Sequence, residues 1–266
     1  MKVNERGIFM KNHQININSQ KCIGCQMCIK DCPAKNIELQ QTKASIIDNE
    51  CIMCGHCVAI CPKNAVSISG YDEEPMLKQG NYQLNPEDVL NTIRFRRTIR
   101  QFQKKDIDQD ILGNILEAGR LTHTAKNAQD VTLIVLDKEK DKLEKMAVSL
   151  FRKIKPIANL ISSMAKRNEI TDHFFFFEAP KVILVASKDH INAALAAQNM
   201  EFVAEAYDLG VLYSGFFTMA ANHSRQIKKQ LDLPKGQKLV TALVMGYPKV
   251  QYQRSAPREK SNIKYM

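Results

Sequence analysis

Apolar positions along this chain fall into two rhythms, one helical and one extended. Asn85 precedes Pro86, Glu87 and Asp88, which reads as a cap, a proline at the first helical position and acids in the first turn; Val89, Leu90 and Ile93 then supply an apolar side. Ile111, Leu112, Ile115 and Leu116 recur at helical spacing and predict a second helix over 108–121, capped by Asp108. Residues 139–169 read as mostly helical with an interruption at Pro156, 193–209 as a helix closed by Gly210, and 216–231 as a helix ending before Pro234. Three short apolar, β-branched runs, 131–136, 181–186 and 239–245, predict buried strands between them. Strands alternating with long helices predict a layered α/β or α+β domain over 86–266. Ahead of it, Pro75 and Gly80 among polar residues mark 71–85 as a linker.

Before residue 71 the organising feature is cysteine. All 8 cysteines lie there, as Cys22, Cys25, Cys28 and Cys32 followed by Pro33, and Cys51, Cys54, Cys57 and Cys61 followed by Pro62. Each copy reads C-x-x-C-x-x-C-x-x-x-C-P. A compact C-x-x-C-x-x-C turn can supply three thiolates to one centre, and a fourth must arrive from elsewhere. Gly24 and Gly55 fall where the backbone bends toward that centre. Disulfides would need an oxidising compartment and a secretory signal, and residues 1–14 show no apolar segment of signal-peptide length. Tetrahedral zinc would not use so many closely spaced thiolates. The spacing resembles that of bacterial two-cluster ferredoxins over about 13–70. That resemblance implies two [4Fe–4S] clusters with crossed ligands: Cys22, Cys25, Cys28 and Cys61 for one, Cys51, Cys54, Cys57 and Cys32 for the other. His56 then reads as a solvent-facing loop residue. So small a domain, 1–70, would lean on metal ligation in place of a large core.

Charge adds little against this background. Formal net charge is +10, but lysine and arginine are spread along the chain, which does not favour a nucleic-acid-binding surface. No apolar run reaches membrane-spanning length. Iron–sulfur ligation and free thiols suit a reducing cytoplasm. A basic surface would also steer in an acidic electron carrier of ferredoxin or flavodoxin type.

The densest basic cluster is Arg94, Arg96, Arg97 and Arg100. If extended, it would place Arg96, Thr98 and Arg100 on one face and Phe95, Arg97 and Ile99 on the other. Two guanidiniums flanking a hydroxyl suit a phosphate and a polyhydroxyl chain, and the same residues equally suit a solvated basic loop. The run R-R-T-I-R-Q-F resembles the R-R-S-x-R-x-F opening of the flavin-dependent nitroreductase family. Thr122 to Gln129 is similar to that family's P-S-x-x-N-x-Q segment, residues 193–215 to its long interface helix and following loop, and Gly246-Tyr247-Pro248 with Arg254, Pro257 and Arg258 to its C-terminal end.

The resemblance implies an α+β sandwich with a central, mostly antiparallel sheet, and a homodimer with FMN at the subunit interface. It assigns Arg96, Thr98 and Arg100 to the flavin phosphate, ribityl chain and ring oxygens. Arg97 has a more variable role, and Asn127 and Gln129 make polar contacts to ribityl or ring. Ser214 and Gly215 belong to the loop whose backbone N–H lies near the flavin N5, and Arg254 and Arg258 close on the phosphate. Where many members read N-x-Q-P-W, this chain has Asp130 and Val131 after Gln129, and it contains no tryptophan. The implied function is an oxidoreductase passing electrons from a donor through two clusters to FMN and on to a nitroaromatic or an activated alkene. The donor is reduced ferredoxin or flavodoxin, or NAD(P)H. The alternatives are an electron-transfer or redox-sensing flavoprotein without a small-molecule substrate, and an NAD(P)H-dependent oxidoreductase sending electrons outward. For proton transfer, His123, His173 and Tyr213 are the candidates.

Overall fold

The computed structural model describes residues 13–80 and 82–266. Residues 1–12, most of the segment in which no leader was expected, lie outside the described residues. The chain divides into two units: Met1–Tyr82 with Thr124–Ala128, and Gln83–His123 with Gln129–Met266.

In the first unit, β1 (Ile15–Ile17) pairs antiparallel with β4 (Val66–Ile68), and β2 (Ile37–Gln40) with β3 (Lys43–Ile46). Two single-turn helices, α1 (Met27–Asp31) and α2 (His56–Ile60), each follow a cysteine loop. The core here is small and is itself part cysteine: Cys22, Cys28, Cys32 and Cys57 are buried with Ile37, Ala44, Ala65 and Val66. That composition fits a fold which cannot rely on apolar burial alone.

The second unit opens with α3 (Pro86–Phe95), whose Asn85 cap accepts from the Glu87 N–H at 2.9 Å. Then come α4 (Gln109–Arg120), a 3₁₀ turn at Ala125–Asn127 that belongs to the first unit, β5 (Thr132–Leu136), α5 (Lys140–Ile161) and α6 (Ser163–Arg167). They are followed by β6 (Lys181–Ser187), α7 (His190–Ala206), β7 (Gly210–Tyr213), α8 (Gly215–His223), α9 (Arg225–Leu231) and β8 (Lys238–Gly246). The strands form one sheet in the order β5-β6-β8-β7, and every pairing in it is antiparallel. Side chains alternate across it. Val182, Leu184, Ala242 and Val244 face a core shared with α5, α8 and α9. Ile183, Val185, Leu243 and Met245 face a second core shared with α4 and α7. Helices thus cover both faces, and β6 is buried along its whole length. The unit is α+β. Among the described residues no helix is long and apolar enough to cross a membrane.

Three local expectations change. Pro156 does not interrupt α5, which runs through it to Ile161; its buried face of Leu143, Ala147, Val148 and Phe151 outweighs one lost backbone hydrogen bond. The helix expected over 216–231 is two, broken at Ser224, whose side chain caps the second by accepting from the Ile227 N–H. Gly210 does not close α7 but begins β7, a strand the pattern missed because four residues, Gly-Val-Leu-Tyr, are too short to show alternation.

Candidate functional site

Each cysteine loop bends through two left-handed residues. Gly24 and Gln26 do so in the first, Met53 and Gly55 in the second, so one glycine serves each loop at alternate positions. The fourth cysteine of each run follows the short helix and is set by a backbone contact: the Asn36 N–H donates to Cys32 Sγ at 3.4 Å, and the Ala65 N–H to Cys61 Sγ at 3.2 Å. The cysteines sort into two cavities. One is lined by Cys22, Cys25, Cys28 and Cys61, the other by Cys32, Cys51, Cys54 and Cys57. Among the described residues no three His, Cys, Asp or Glu side chains converge on a single-ion centre, so it is this lining that bears on ligation. Burial pushes the Cys57 thiol up to about 11 and raises Cys28 as well, whereas N–H donors from Ala44 and Gly24 hold Cys22 below the ordinary thiol value. Metal ligation at the raised sites would therefore release protons. His56 is exposed at the start of α2.

The arginine run leaves α3 at Arg96 and continues extended beside the sheet. The Ile99 N–H donates to the Val211 carbonyl at 3.1 Å, and Phe102 bridges to Pro248. Ile99 is buried between exposed Thr98 and Arg100, but Phe95 is exposed and Arg96 and Arg97 are both half-buried, so the expected alternation holds only over 98–100, because Phe95 still belongs to α3. Arg96 is not left free on the exposed side. Its Nη1 lies 2.5 Å from Glu201 Oε1, and its guanidinium carbon sits 5.8 Å from the Phe202 ring centre. Arg97 Nη1 donates to the Arg96 carbonyl at 2.6 Å. Arg96 Nε and Arg97 Nη2 are buried donors without an acceptor among the described residues. Buried guanidinium N–H groups are seldom left so, and an anionic oxygen-rich group is what such donors fit.

Sequence reasoning missed Glu201. It is buried on α7 among Ala193, Ala196, Ala197, Met200 and Ala204, and it accepts from Gln198 Nε2 at 2.9 Å and from the Tyr213 hydroxyl at 3.0 Å. A carboxylate at helical spacing among the alanines of α7 was the signal available. Burial, then the Glu201 charge, holds the Tyr213 hydroxyl above its ordinary pKa, so it stays a donor.

The remaining candidates are dispersed. Asn127 Nδ2 donates to the Ile52 and Met53 carbonyls, at 3.1 and 2.9 Å. Gln129 is exposed, with φ 45°. Ser214 is buried: its N–H donates to the Ala242 carbonyl at 2.8 Å and its hydroxyl to the Phe175 carbonyl at 3.0 Å. Gly215 heads α8, where the first N–H groups have no partner within the helix, and no atom lies within 4 Å of where a Cβ would stand. Arg254 and Arg258 are exposed on a C-terminal segment without regular structure, and His123 is exposed as well. His173 Nδ1 lies 3.4 Å from buried Glu144, whose carboxyl burial raises against the N–H groups of Phe176 and Phe175. That pairing anchors the aromatic turn at 174–177.

Comparison with known proteins bears on both units. Residues 14–62 match the 4Fe-4S dicluster domain, and residues 93–247 match the Nitroreductase family. An NADPH-dependent oxidoreductase of Staphylococcus aureus is 26% identical over 172 residues, 61% of this chain and 65% of that protein. The chain thus spans somewhat less than two thirds of the length of the curated relatives it matches. A nitroreductase with bound FMN from Desulfitobacterium hafniense superposes with a TM-score of 0.56 at 17% identity, covering 69% of this chain and 100% of that one. An FMN-dependent nitroreductase from Clostridium difficile does so at 0.54 and 16%, covering 68% and 100%. Likeness at that identity speaks to the fold. With the family match covering more than half of the chain, this protein belongs to the nitroreductase family and carries a 4Fe-4S dicluster domain ahead of the family domain.

Proposed function

We propose that the chain is an iron–sulfur flavoprotein that delivers electrons to a small electrophilic acceptor, such as a nitroaromatic or an activated alkene. The observation that carries this reading is the sorting of the cysteines into two four-cysteine cavities within a chain that also holds the nitroreductase domain. Cys22, Cys25, Cys28 and Cys61 would hold one [4Fe–4S] cluster, and Cys51, Cys54, Cys57 and Cys32 the other. Arg96, Thr98 and Arg100 would hold the phosphate, ribityl chain and ring oxygens of FMN, with Arg97 beside them. Arg96 Nε and Arg97 Nη2, which find no acceptor among the described residues, support this, because a phosphate supplies acceptors. Bound there, the clusters supply one-electron transfer and the flavin two-electron chemistry. Gln129 and Gly215 are assigned to the flavin's polar edge, and Arg254 and Arg258 to closing on the phosphate. Glu201 steadies Arg96, and Tyr213 steadies Glu201.

We also assign a homodimer in the cytoplasm. No residue of α3 is buried, and Leu90, Ile93 and Phe95 stand exposed on it; Leu195 on α7 is 49% exposed. These apolar surfaces suit a second copy of the chain.

Anaerobically purified protein is expected to contain about eight irons and one FMN per chain. Light scattering should give about twice 30.2 kDa. Iron without flavin would overturn the flavoprotein half of the reading, and flavin without iron the cluster half.

The donor has two candidates, and the Staphylococcus aureus relatives named NADPH-dependent oxidoreductases favour a nicotinamide. Rapid flavin bleaching in anaerobic stopped flow with NADPH alone supports that donor. Bleaching only with reduced ferredoxin or flavodoxin supports a protein carrier. Reduction without turnover of any acceptor would favour an electron-transfer or sensing role.

A further inference from the structure

The two cysteine loops are built alike but braced differently. Residues 22–36 and 51–65 repeat at an offset of 29 positions. Their backbones repeat too: Gly24 and Met53 have φ of 70° and 53°, Gln26 and Gly55 63° and 75°, Lys35 and Asn64 53° and 47°.

The first loop is held from within its own module. Lys43 Nζ donates to the Cys22 carbonyl, and the Ala44 N–H donates to Cys22 Sγ at 3.5 Å. The Thr42 carbonyl packs so closely on Gly24 that a Cβ there would lie 2.2 Å from its oxygen. In the second repeat the positions matching Thr42 to Ala44 are Tyr71 to Glu73, and Tyr71 stacks on His13 with ring centres 4.2 Å apart.

What braces the second loop comes from elsewhere in the sequence. Asn127 Nδ2 donates to both carbonyls between Cys51 and Cys54, those of Ile52 and Met53. Met53 in turn directs its N–H at Cys51 Sγ, 3.3 Å away. Asn127 lies in Thr124–Ala128, the short segment that groups with the iron–sulfur unit although the chain on either side of it belongs to the other. Its backbone is unusual, with Lys126 and Asn127 both left-handed at φ 54° and 52°. Non-glycine residues keep that conformation where surrounding contacts impose it.

We propose that Asn127 is a positioning residue for the second cluster and not a flavin contact: its amide clamps the two carbonyls of the Cys51–Cys54 loop and so fixes both thiolates and the Met53 N–H. The proposal rests on the two-cluster reading above. Groups that orient metal ligands without touching the metal have strong effects on retention, and hydrogen bonds to sulfur tune cluster potentials.

Asn127→Asp keeps the size of the side chain and removes both donors, and Asn127→Ala removes the side chain. Full-length protein is prepared anaerobically and challenged with a ferrous chelator. In both variants about half of the iron is expected to leave roughly tenfold faster than in the wild type. The reduced protein should show an altered electron paramagnetic resonance signal and midpoint potential for one cluster, with FMN content unchanged. Wild-type iron release and an unaltered signal in both variants would overturn the proposal, and loss of FMN alongside them would return Asn127 to the flavin. An iron-free wild type would instead sink the two-cluster reading before any variant is compared.

Discussion

Glu201 is 4% exposed, and its carboxylate is met by Arg96, Gln198 and Tyr213. A buried carboxylate is tolerable with that many donors, and the arrangement leaves little to share with a second acid one turn along. Glu205 is that acid. Burial first, and then the Glu201 charge, push its carboxyl up to about 7, with Arg96 pulling the other way. The folded value lies above the unfolded one, so the folded state holds an extra proton between the two. The stability linked to that proton is complete below about pH 4.5 and is lost as pH rises through about 7. Glu205→Gln mimics the protonated form. It is expected to stabilise the protein by on the order of 1 kcal/mol at pH 8, less than the full shift implies because the group is partly solvated. At pH 5 the gain should shrink toward nothing. Thermal melts at the two pH values check this, and an equal gain at both would show that Glu205 does not titrate as described.

Among the elements, the arginine run depends on a contact with no local signature. Its extended course is fixed by the Ile99 N–H on the Val211 carbonyl and by Ile99 packing against Gly210, where a Cβ would stand 2.3 Å from Ile99 Cγ1. Gly210→Ala is therefore expected to destabilise the second unit by about 1–3 kcal/mol through overpacking. Because the displaced segment carries Arg96 to Arg100, the variant should also retain less FMN on gel filtration. Adding Ile99→Ala should recover part of the stability, and strict additivity of the two melting shifts would exclude the direct contact. The same glycine shows where sequence reading stops. Local rules began α4 at the right place, since Asp108 caps its first turn by accepting from the Asp110 N–H at 2.8 Å. They assigned Gly210 to the close of α7, yet the left-handed residue after that helix is Asp208, at φ 57°. What Gly210 supplies is room for a side chain 111 positions away. The cysteine spacing was legible because covalent geometry fixes it over ten residues. The partnerships of Arg96 with Glu201 and of Asn127 with the Cys51–Cys54 loop were not, because each joins residues about 75 or more positions apart that carry no shared periodicity.

For the molecule as a whole, the charge separates the two donors proposed for it. A net charge of +10 on 266 residues produces an attractive field for acidic partners, and that field acts on encounter rates more than on the final complex. An acidic ferredoxin or flavodoxin would feel the summed charge over a broad surface. Its second-order rate of reducing this protein is expected to fall roughly tenfold between about 20 and 500 mM salt, as the screening length contracts from about 20 Å to a few ångströms. NADPH is anionic too, but it is small and responds chiefly to the few charges lining its own site, so its slope should be much shallower. Stopped-flow bleaching followed across that range with each donor in turn gives two slopes. A steep slope with the carrier and a shallow one with NADPH matches a basic surface built to gather acidic proteins. A flat carrier slope would show that the excess of lysine and arginine plays no part in electron delivery, leaving the nicotinamide as the donor the charge does not oppose.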